Sequence, residues 1–98
     1  MIIRIVKMTF QPEETANFLT FFEPFKEQIR HFEGCQKLQI LRGKDQPNII
    51  FSYSYWDGPA ALDCYRKSAL FGQVWPETKK RFAAKPEAWT VDLLAEID

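Results

Sequence analysis

The amino-acid sequence predicts an α+β domain of the ferredoxin-like type, in which the element order βαββαβ forms a four-stranded antiparallel sheet. Three observations predict this fold. Four segments have the alternation or composition of strands, two longer segments repeat apolar residues at helical spacing, and glycine or proline lies at most of the boundaries. No linker, repeat or low-complexity segment divides the chain, so residues 1–98 are predicted to form a single domain. This order of elements places both helices on one face of the sheet.

The first predicted strand covers residues 1–10, which alternate between two sides and contain several β-branched side chains. One side carries Ile2, Val6 and Met8, and we expect it to face away from the helices. Because an exposed apolar face of this size usually marks an interface, it predicts a homodimer in which the two sheets pack against each other. Lys7 points to the other side, either as an edge lysine with its head in solvent or as a polar group in a pocket.

A long helix is predicted over residues 13–33, followed by a strand over residues 37–42. The helix is indicated by apolar residues that recur at steps of four and three, namely Phe18, Phe22, Phe25, Ile29 and Phe32. Pro24 removes one backbone hydrogen bond and predicts a kink in this helix. Gly34 predicts its end, because glycine readily takes the left-handed conformation there.

The second half of the chain is predicted to contain a strand, a helix and a final strand. Residues 49–56 form the most strand-like segment, and the pattern leaves open which of its two faces meets the helices. The helix is expected from about residue 59 to residue 84, with a restart at Ser68, whose side chain can cap the second part. Pro86 separates this helix from a last strand over residues 89–97.

The junction between the third strand and the second helix is the most informative segment. It has Trp56 at the end of the strand, Ala61-Leu62 and Tyr65 along the helix, and Ser68 and Phe71 at its restart. This spacing resembles the antibiotic biosynthesis monooxygenase family, whose members are small dimeric α+β barrel proteins. The resemblance extends over essentially the whole chain, and it implies a ligand pocket where this strand and this helix meet.

The resemblance also implies a choice of chemistry. In family members that oxidise polyphenols without a cofactor, Tyr, Trp, Asn or Arg side chains bind and deprotonate an aromatic substrate, which itself supplies electrons to oxygen. In haem-degrading members, an Asn on the first strand and a Trp and a His on the second helix form the site. The matching positions here carry Lys7, Tyr65 and Trp75. Because all three differ from the haem-degrading set, the sequence argues against haem degradation.

A pocket between the helices and the sheet is therefore expected. We predict catalytic roles for Tyr65 and Lys7, and we predict substrate-binding roles for a set of aromatic and small polar residues: Trp75, Phe71, Ser68, Phe22, Phe25 and Tyr53. The alternative is that these side chains simply fill the core of an aromatic-rich domain. A tyrosine hydroxyl or an indole N–H favours the pocket, because a buried polar group needs a partner that an apolar core lacks.

Two functions remain open at this point. The first is a cofactor-independent monooxygenase acting on a small aromatic or quinol-like compound, and the second is a non-catalytic small-molecule-binding dimer on the same scaffold. A tyrosine or lysine whose pKa is displaced toward neutrality favours the enzyme. A cavity too small for an aromatic ring favours the binding protein.

Composition excludes several other classes of protein. Thirteen basic and thirteen acidic residues cancel, so the chain lacks the basic excess of nucleic-acid-binding proteins. No segment is apolar enough to span a membrane or to serve as a signal peptide, which predicts a cytoplasmic protein. The only histidine, His31, is expected to face solvent near a helix end, and Cys35 and Cys64 match no metal motif, so neither a metal nor another cofactor is expected.

Overall fold

The protein, described by a computed structural model of residues 1–98, has four strands and four α-helical segments. In chain order these are β1 (Ile2–Thr9), α1 (Thr15–Phe22), α2 (Lys26–Arg30), β2 (Cys35–Arg42), β3 (Ile49–Trp56), α3 (Pro59–Arg66), α4 (Ala69–Lys79) and β4 (Glu87–Asp92). The strands form one antiparallel sheet in the order β2-β3-β1-β4, which confirms the predicted ferredoxin-like fold. None of the helices is both long enough and apolar enough to cross a membrane.

The predicted first helix is divided at Pro24. A single 3-10 turn, Glu23–Phe25, joins α1 to α2, because proline has no N–H with which to continue the α-helical pattern. The chain then reverses at Gly34, whose φ of 89° lies in the left-handed region that glycine adopts without strain. The predicted break at Pro24 is thus confirmed, whereas the helix ends at Arg30, earlier than predicted, and residues 31–34 form the turn that leads into β2.

The two faces of the sheet are occupied differently from the prediction. The helices cover the face that carries Ile2, Val6 and Met8, so Ile2 and Met8 are buried and Val6 packs against the core. The prediction that these three residues form the uncovered dimer face is therefore wrong. The uncovered face, here called the open face, is formed by the other alternate positions of the strands: Ile3, Ile5, Lys7, Thr9, Lys37, Gln39, Leu41, Ile49, Phe51, Tyr53, Tyr55, Glu87, Trp89 and Val91.

The second helical region restarts at Ser68 as predicted but ends earlier. The helix α4 stops at Lys79, because the backbone that follows pairs with the end of β1: the Ala83 N–H donates to the Thr9 carbonyl at 2.8 Å. The last strand is also shorter than predicted and ends at Asp92, which lies opposite Ile2. Beyond that point β1 has almost no residues left with which β4 could pair.

Candidate functional site

A cavity of about 160 Å³ lies between the helices and the sheet. Its wall is mainly apolar and is formed by alternate residues of all four strands, by inward-facing residues of all the helices and by Pro86. A cavity of about 150 Å³ with apolar walls is large enough to bind benzene, so this space fits one aromatic ring. A cavity too small for an aromatic ring would have favoured the non-catalytic binding protein, and this cavity is not too small.

Aromatic side chains form one continuous wall of this cavity. The Tyr65 ring stacks on Trp56 at a centroid distance of 5.1 Å, and Phe71 meets Tyr65 edge-on at 5.3 Å. Phe71 in turn stacks on Trp75 at 5.8 Å. Offset and edge-to-face contacts of this kind stabilise ring pairs, so a bound aromatic ring would continue an existing series of contacts.

Tyr65 lies near the centre of this wall, on α3. Its ring is mostly buried, while its hydroxyl makes no hydrogen bond within the protein. Burial, and secondarily the Cys35 thiol, raise the pKa of Tyr65 well above its ordinary value. At neutral pH the hydroxyl is therefore protonated, and it can donate a hydrogen bond but cannot act as a general base.

Trp56 anchors the end of β3 next to Tyr65. Its indole Nε1 donates to the Ser54 Oγ at 2.9 Å, and the side chain is almost completely buried. The Ser54 hydroxyl approaches the Arg4 carbonyl oxygen on the neighbouring strand at 3.5 Å. The indole N–H is thus satisfied inside the protein, which leaves the Tyr65 hydroxyl as the free polar group of this stacked pair.

Ser68 positions Phe71 rather than lining the cavity. The Ser68 Oγ accepts a hydrogen bond from the Phe71 backbone N–H at 3.1 Å, as an N-cap does, and donates to the Tyr65 carbonyl at 2.6 Å. These two bonds join the end of α3 to the start of α4. They therefore fix the relative positions of the Tyr65 and Phe71 rings.

The structure brings together only part of the predicted set. Phe22, Tyr65, Phe71 and Trp75 line the cavity. Phe25 does not, since it lies in the 3-10 turn between α1 and α2 and packs against the Phe21 ring at 5.3 Å.

Lys7 and Tyr53 lie on the open face, opposite the cavity. In the β1–β3 ladder Lys7 is paired with Phe51, and Tyr53 is paired with Ile5. The Lys7 Nζ forms an ion pair with Glu87 at 3.6 Å. The prediction that Lys7 and Tyr53 line the helix–sheet pocket is corrected accordingly: alternation places them one residue out of phase with it.

Two arginines in the cavity wall were missed in the sequence. Arg4 is a charged residue on the otherwise apolar side of β1, and this exception was the available signal. Its guanidinium donates to the Thr90 Oγ1 of β4 at 2.8 Å. Arg66, the last residue of α3, also lines the cavity, and no sequence pattern distinguished it from other exposed basic residues.

No aspartate, glutamate, histidine or lysine contributes to the cavity wall. Nowhere in the chain do three or more His, Cys, Asp and Glu side chains lie close enough together to hold a metal ion. His31 is exposed at the end of α2, where its Nδ1 lies 2.9 Å from the Glu27 carbonyl oxygen, as the sequence predicted. The cavity thus offers hydroxyl, indole and guanidinium groups, with no side chain suited to remove a proton at neutral pH.

Comparison with known proteins identifies relatives of this arrangement. The family model described as antibiotic biosynthesis monooxygenase matches residues 1–75, from β1 to Trp75 in the cavity wall. No curated protein is significantly similar in sequence to the chain.

Solved structures share the whole fold at low sequence identity. A structure named antibiotic biosynthesis monooxygenase superposes with a TM-score of 0.90 at 18% identity, covering 97% of this chain and 100% of the other. Rv0793 from Mycobacterium tuberculosis gives 0.89 at 13%, covering 99% and 98%. A conserved protein from Methanosarcina mazei Go1 gives 0.85 at 22%, covering 92% and 90%. At these identities the likeness establishes the fold alone.

Proposed function

Because the chain belongs to the antibiotic biosynthesis monooxygenase family, we propose that it is a cofactor-independent monooxygenase acting on a small aromatic or quinol-like compound. The observation that supports this proposal most is the ring-sized cavity with the free Tyr65 hydroxyl in its aromatic wall. In the proposed complex, the substrate ring packs against Phe22, Phe71 and Trp75. Tyr65 donates a hydrogen bond to a substrate oxygen and orients the ring.

The reaction requires no external reductant. A hydroquinone and O₂ give a hydroxyquinone and water: one oxygen atom forms a new C–O bond, and the other leaves as water with two hydrogens from the substrate. The four electrons that reduce O₂ come from the ring. Since no side chain in the cavity wall is a suitable base, the substrate hydroxyl loses its proton to water. Quinols are favoured as substrates because their electron-rich rings give up electrons to O₂ readily.

Haem degradation is not part of the proposal. The cavity wall presents Trp75 on α4 and contains no histidine, while His31 is an exposed residue at the end of α2. The donor set therefore offers no axial ligand of the kind that haem iron takes from histidine.

The second candidate is a small-molecule-binding protein without catalysis. It is favoured by one specific observation, the raised pKa of Tyr65, because this shift is away from neutrality. A neutral tyrosine in an apolar cavity is suited to recognising a ligand oxygen, whether or not a reaction follows.

Oxygen uptake distinguishes the two candidates. We expect single-ring hydroquinones to stimulate O₂ consumption and ¹⁸O₂ to label the product. Tyr65→Phe removes only the free hydroxyl and should reduce this rate at least about tenfold, the scale of one lost catalytic hydrogen bond. Tyr53→Phe is the matched control, since it removes the same group from the open face and should leave the rate unchanged. Ring binding without label in the product would instead support the binding protein.

We also propose that the protein acts as a homodimer through the open face. Three large apolar side chains on this face are two-fifths or more exposed, Leu41 at 44%, Trp89 at 45% and Val91 at 41%. They adjoin the aromatic side chains of Phe51, Tyr53 and Tyr55 through the strand register. A second copy of the sheet would cover this surface, as in a sheet-on-sheet packing.

A further inference from the structure

Arg4 and Arg66, here called the cationic pair, are the only charged residues in the wall of the cavity. Arg4 is supplied by the central region of the sheet and Arg66 by the last residue of α3, directly after Tyr65. Two positive charges are therefore placed at an otherwise apolar cavity, with no negative charge in the same wall.

Neither arginine has an acidic partner elsewhere. The ion pairs of the chain involve other residues: Lys7 with Glu87, Lys26 with Glu23, His31 with Glu27, Lys80 with Glu77, and Arg81 with Glu14 and Glu77. The single side-chain hydrogen bond of Arg4 goes to the neutral hydroxyl of Thr90. A guanidinium has five N–H donors, so most of the donors of the cationic pair remain available to a ligand.

The two guanidinium groups also influence each other. Partial burial lowers the pKa of Arg4, and the positive charge of Arg66 lowers it further. Because both side chains line the same cavity, their charges lie near enough to repel one another. An anion held by both groups would relieve that repulsion and would replace the water lost by Arg4 on burial.

We propose that the cationic pair recognises an anionic substituent on the aromatic ligand, so that the substrate class is a single-ring aromatic acid. The carboxylate accepts hydrogen bonds from Arg4 and Arg66, while the ring enters the aromatic part of the cavity beside Tyr65 and Trp75. Guanidinium groups suit this task because their planar donors match the two oxygens of a carboxylate. The inference rests on the proposed function in one respect, namely that the cavity is the ligand site.

Benzoate and benzamide test the inference directly, because they share a ring and differ in charge. Isothermal titration or ligand-observed NMR should show that benzoate binds the wild-type protein at least about tenfold more tightly than benzamide, the usual scale of a charge-assisted hydrogen bond. Raising the salt concentration should weaken benzoate binding and leave benzamide binding nearly constant. Equal affinities, or no binding of benzoate, would overturn the inference.

Arg66→Gln and Lys67→Gln form a matched pair of variants. Both remove one positive charge at the end of α3, but Lys67 is not part of the cavity wall. Arg66 is exposed and unpaired, so its replacement should not affect folding. We expect Arg66→Gln to reduce benzoate affinity about tenfold, with benzamide unaffected and Lys67→Gln equal to wild type. Equal losses in the two variants would show that only net charge matters, and would contradict the inference.

Substituted forms of the same probes separate this inference from the proposed function. Dihydroxybenzoate that binds through the cationic pair without O₂ uptake would support anion recognition and overturn the monooxygenase. Oxidation of dihydroxybenzoate at the same rate as hydroquinone, with no change in the Arg66→Gln variant, would support the monooxygenase and overturn anion recognition. Benzenesulfonate and phenyl phosphate, measured in parallel, identify which anionic group the pair prefers.

Discussion

The rings of Trp56 and Tyr65 are stacked at 5.1 Å with 24° between their planes. Trp56 ends the central strand β3, and Tyr65 lies in α3, the next element along the chain. Their contact therefore fixes α3 on the sheet. The same contact holds the Tyr65 ring while its hydroxyl remains free. The ring therefore serves the structure, while the hydroxyl is available for the proposed recognition of a ligand.

The first prediction separates these two parts of Tyr65. Tyr65→Phe keeps the stacked ring and removes a hydroxyl that has no partner in the protein, so the free energy of unfolding should change by less than about 1 kcal/mol. Tyr65→Ala removes the ring and should cost about 3–5 kcal/mol, as for other large core aromatics. Urea denaturation measures both. A large destabilisation by Tyr65→Phe would show that the hydroxyl has a structural partner and would weaken its proposed role.

The second prediction concerns the hydrogen bond between Trp56 and Ser54. Ser54→Ala leaves the buried indole N–H without an acceptor, and this should destabilise the fold by about 1–3 kcal/mol. Ser52→Ala is the control, because Ser52 occupies the same face one pleat away without a comparable bond. The difference in stability between the two variants, measured by thermal denaturation, gives the contribution of the Trp56–Ser54 hydrogen bond to folding. Equal effects would indicate that the serines matter only by packing.

The third prediction tests the homodimer. Trp89→Lys places a charge on the open face at a side chain that is already 45% exposed in one chain, so folding should persist while association weakens. Gln73→Lys adds the same charge to the exposed side of α4 and should leave association unchanged. Sedimentation equilibrium at micromolar concentration measures the effect. A wild-type protein that sediments as a monomer would refute the proposed dimer.

The fourth prediction concerns alkaline pH. Burial raises the pKa of both Cys35 and Tyr65 in the folded protein, so their protonated forms are favoured by folding. The stability they contribute is complete below their unfolded pKa values, about 8.5 and 10, and is lost as the pH rises toward the folded values. The urea midpoint should therefore fall above about pH 9. Tyr65→Phe should reduce the fall above about pH 10, and an unchanged fall in this variant would show that Tyr65 does not contribute to it.

The order and type of the elements were predictable because their signals are local. Proline and glycine mark the boundaries at Pro24 and Gly34, and the apolar stripe of the first helix repeats over five residues. The four cavity residues that were predicted lie on helices or follow the Trp56 junction. The inward face of each of these helices could be read from the spacing of its apolar residues.

The face of the sheet could not be predicted in the same way. Both sides of β1 are apolar, with Ile2, Val6 and Met8 on one and Ile3 and Ile5 on the other. Alternation separates two such sides but does not say which of them the helices cover. Because the wrong face was assigned to the helices, Lys7 was predicted to line the pocket and Arg4 was left out of the predicted site. The single arginine on an apolar strand side was the better signal, because such a charge requires a compensating partner.

Gly34 and Ala61 share a space that admits one methyl group between them. A Cβ at position 34 would lie 2.5 Å from the Ala61 Cβ, and the φ of 89° adds strain for any other residue. Gly34→Ala should therefore destabilise the protein strongly, while adding Ala61→Gly should restore part of the loss in a double-mutant cycle measured by urea denaturation. Independent, additive effects would refute this coupling. Because Ala61 belongs to the helix that presents Tyr65 and Arg66 to the cavity, a larger residue at position 34 would displace this helix and both of these side chains with it.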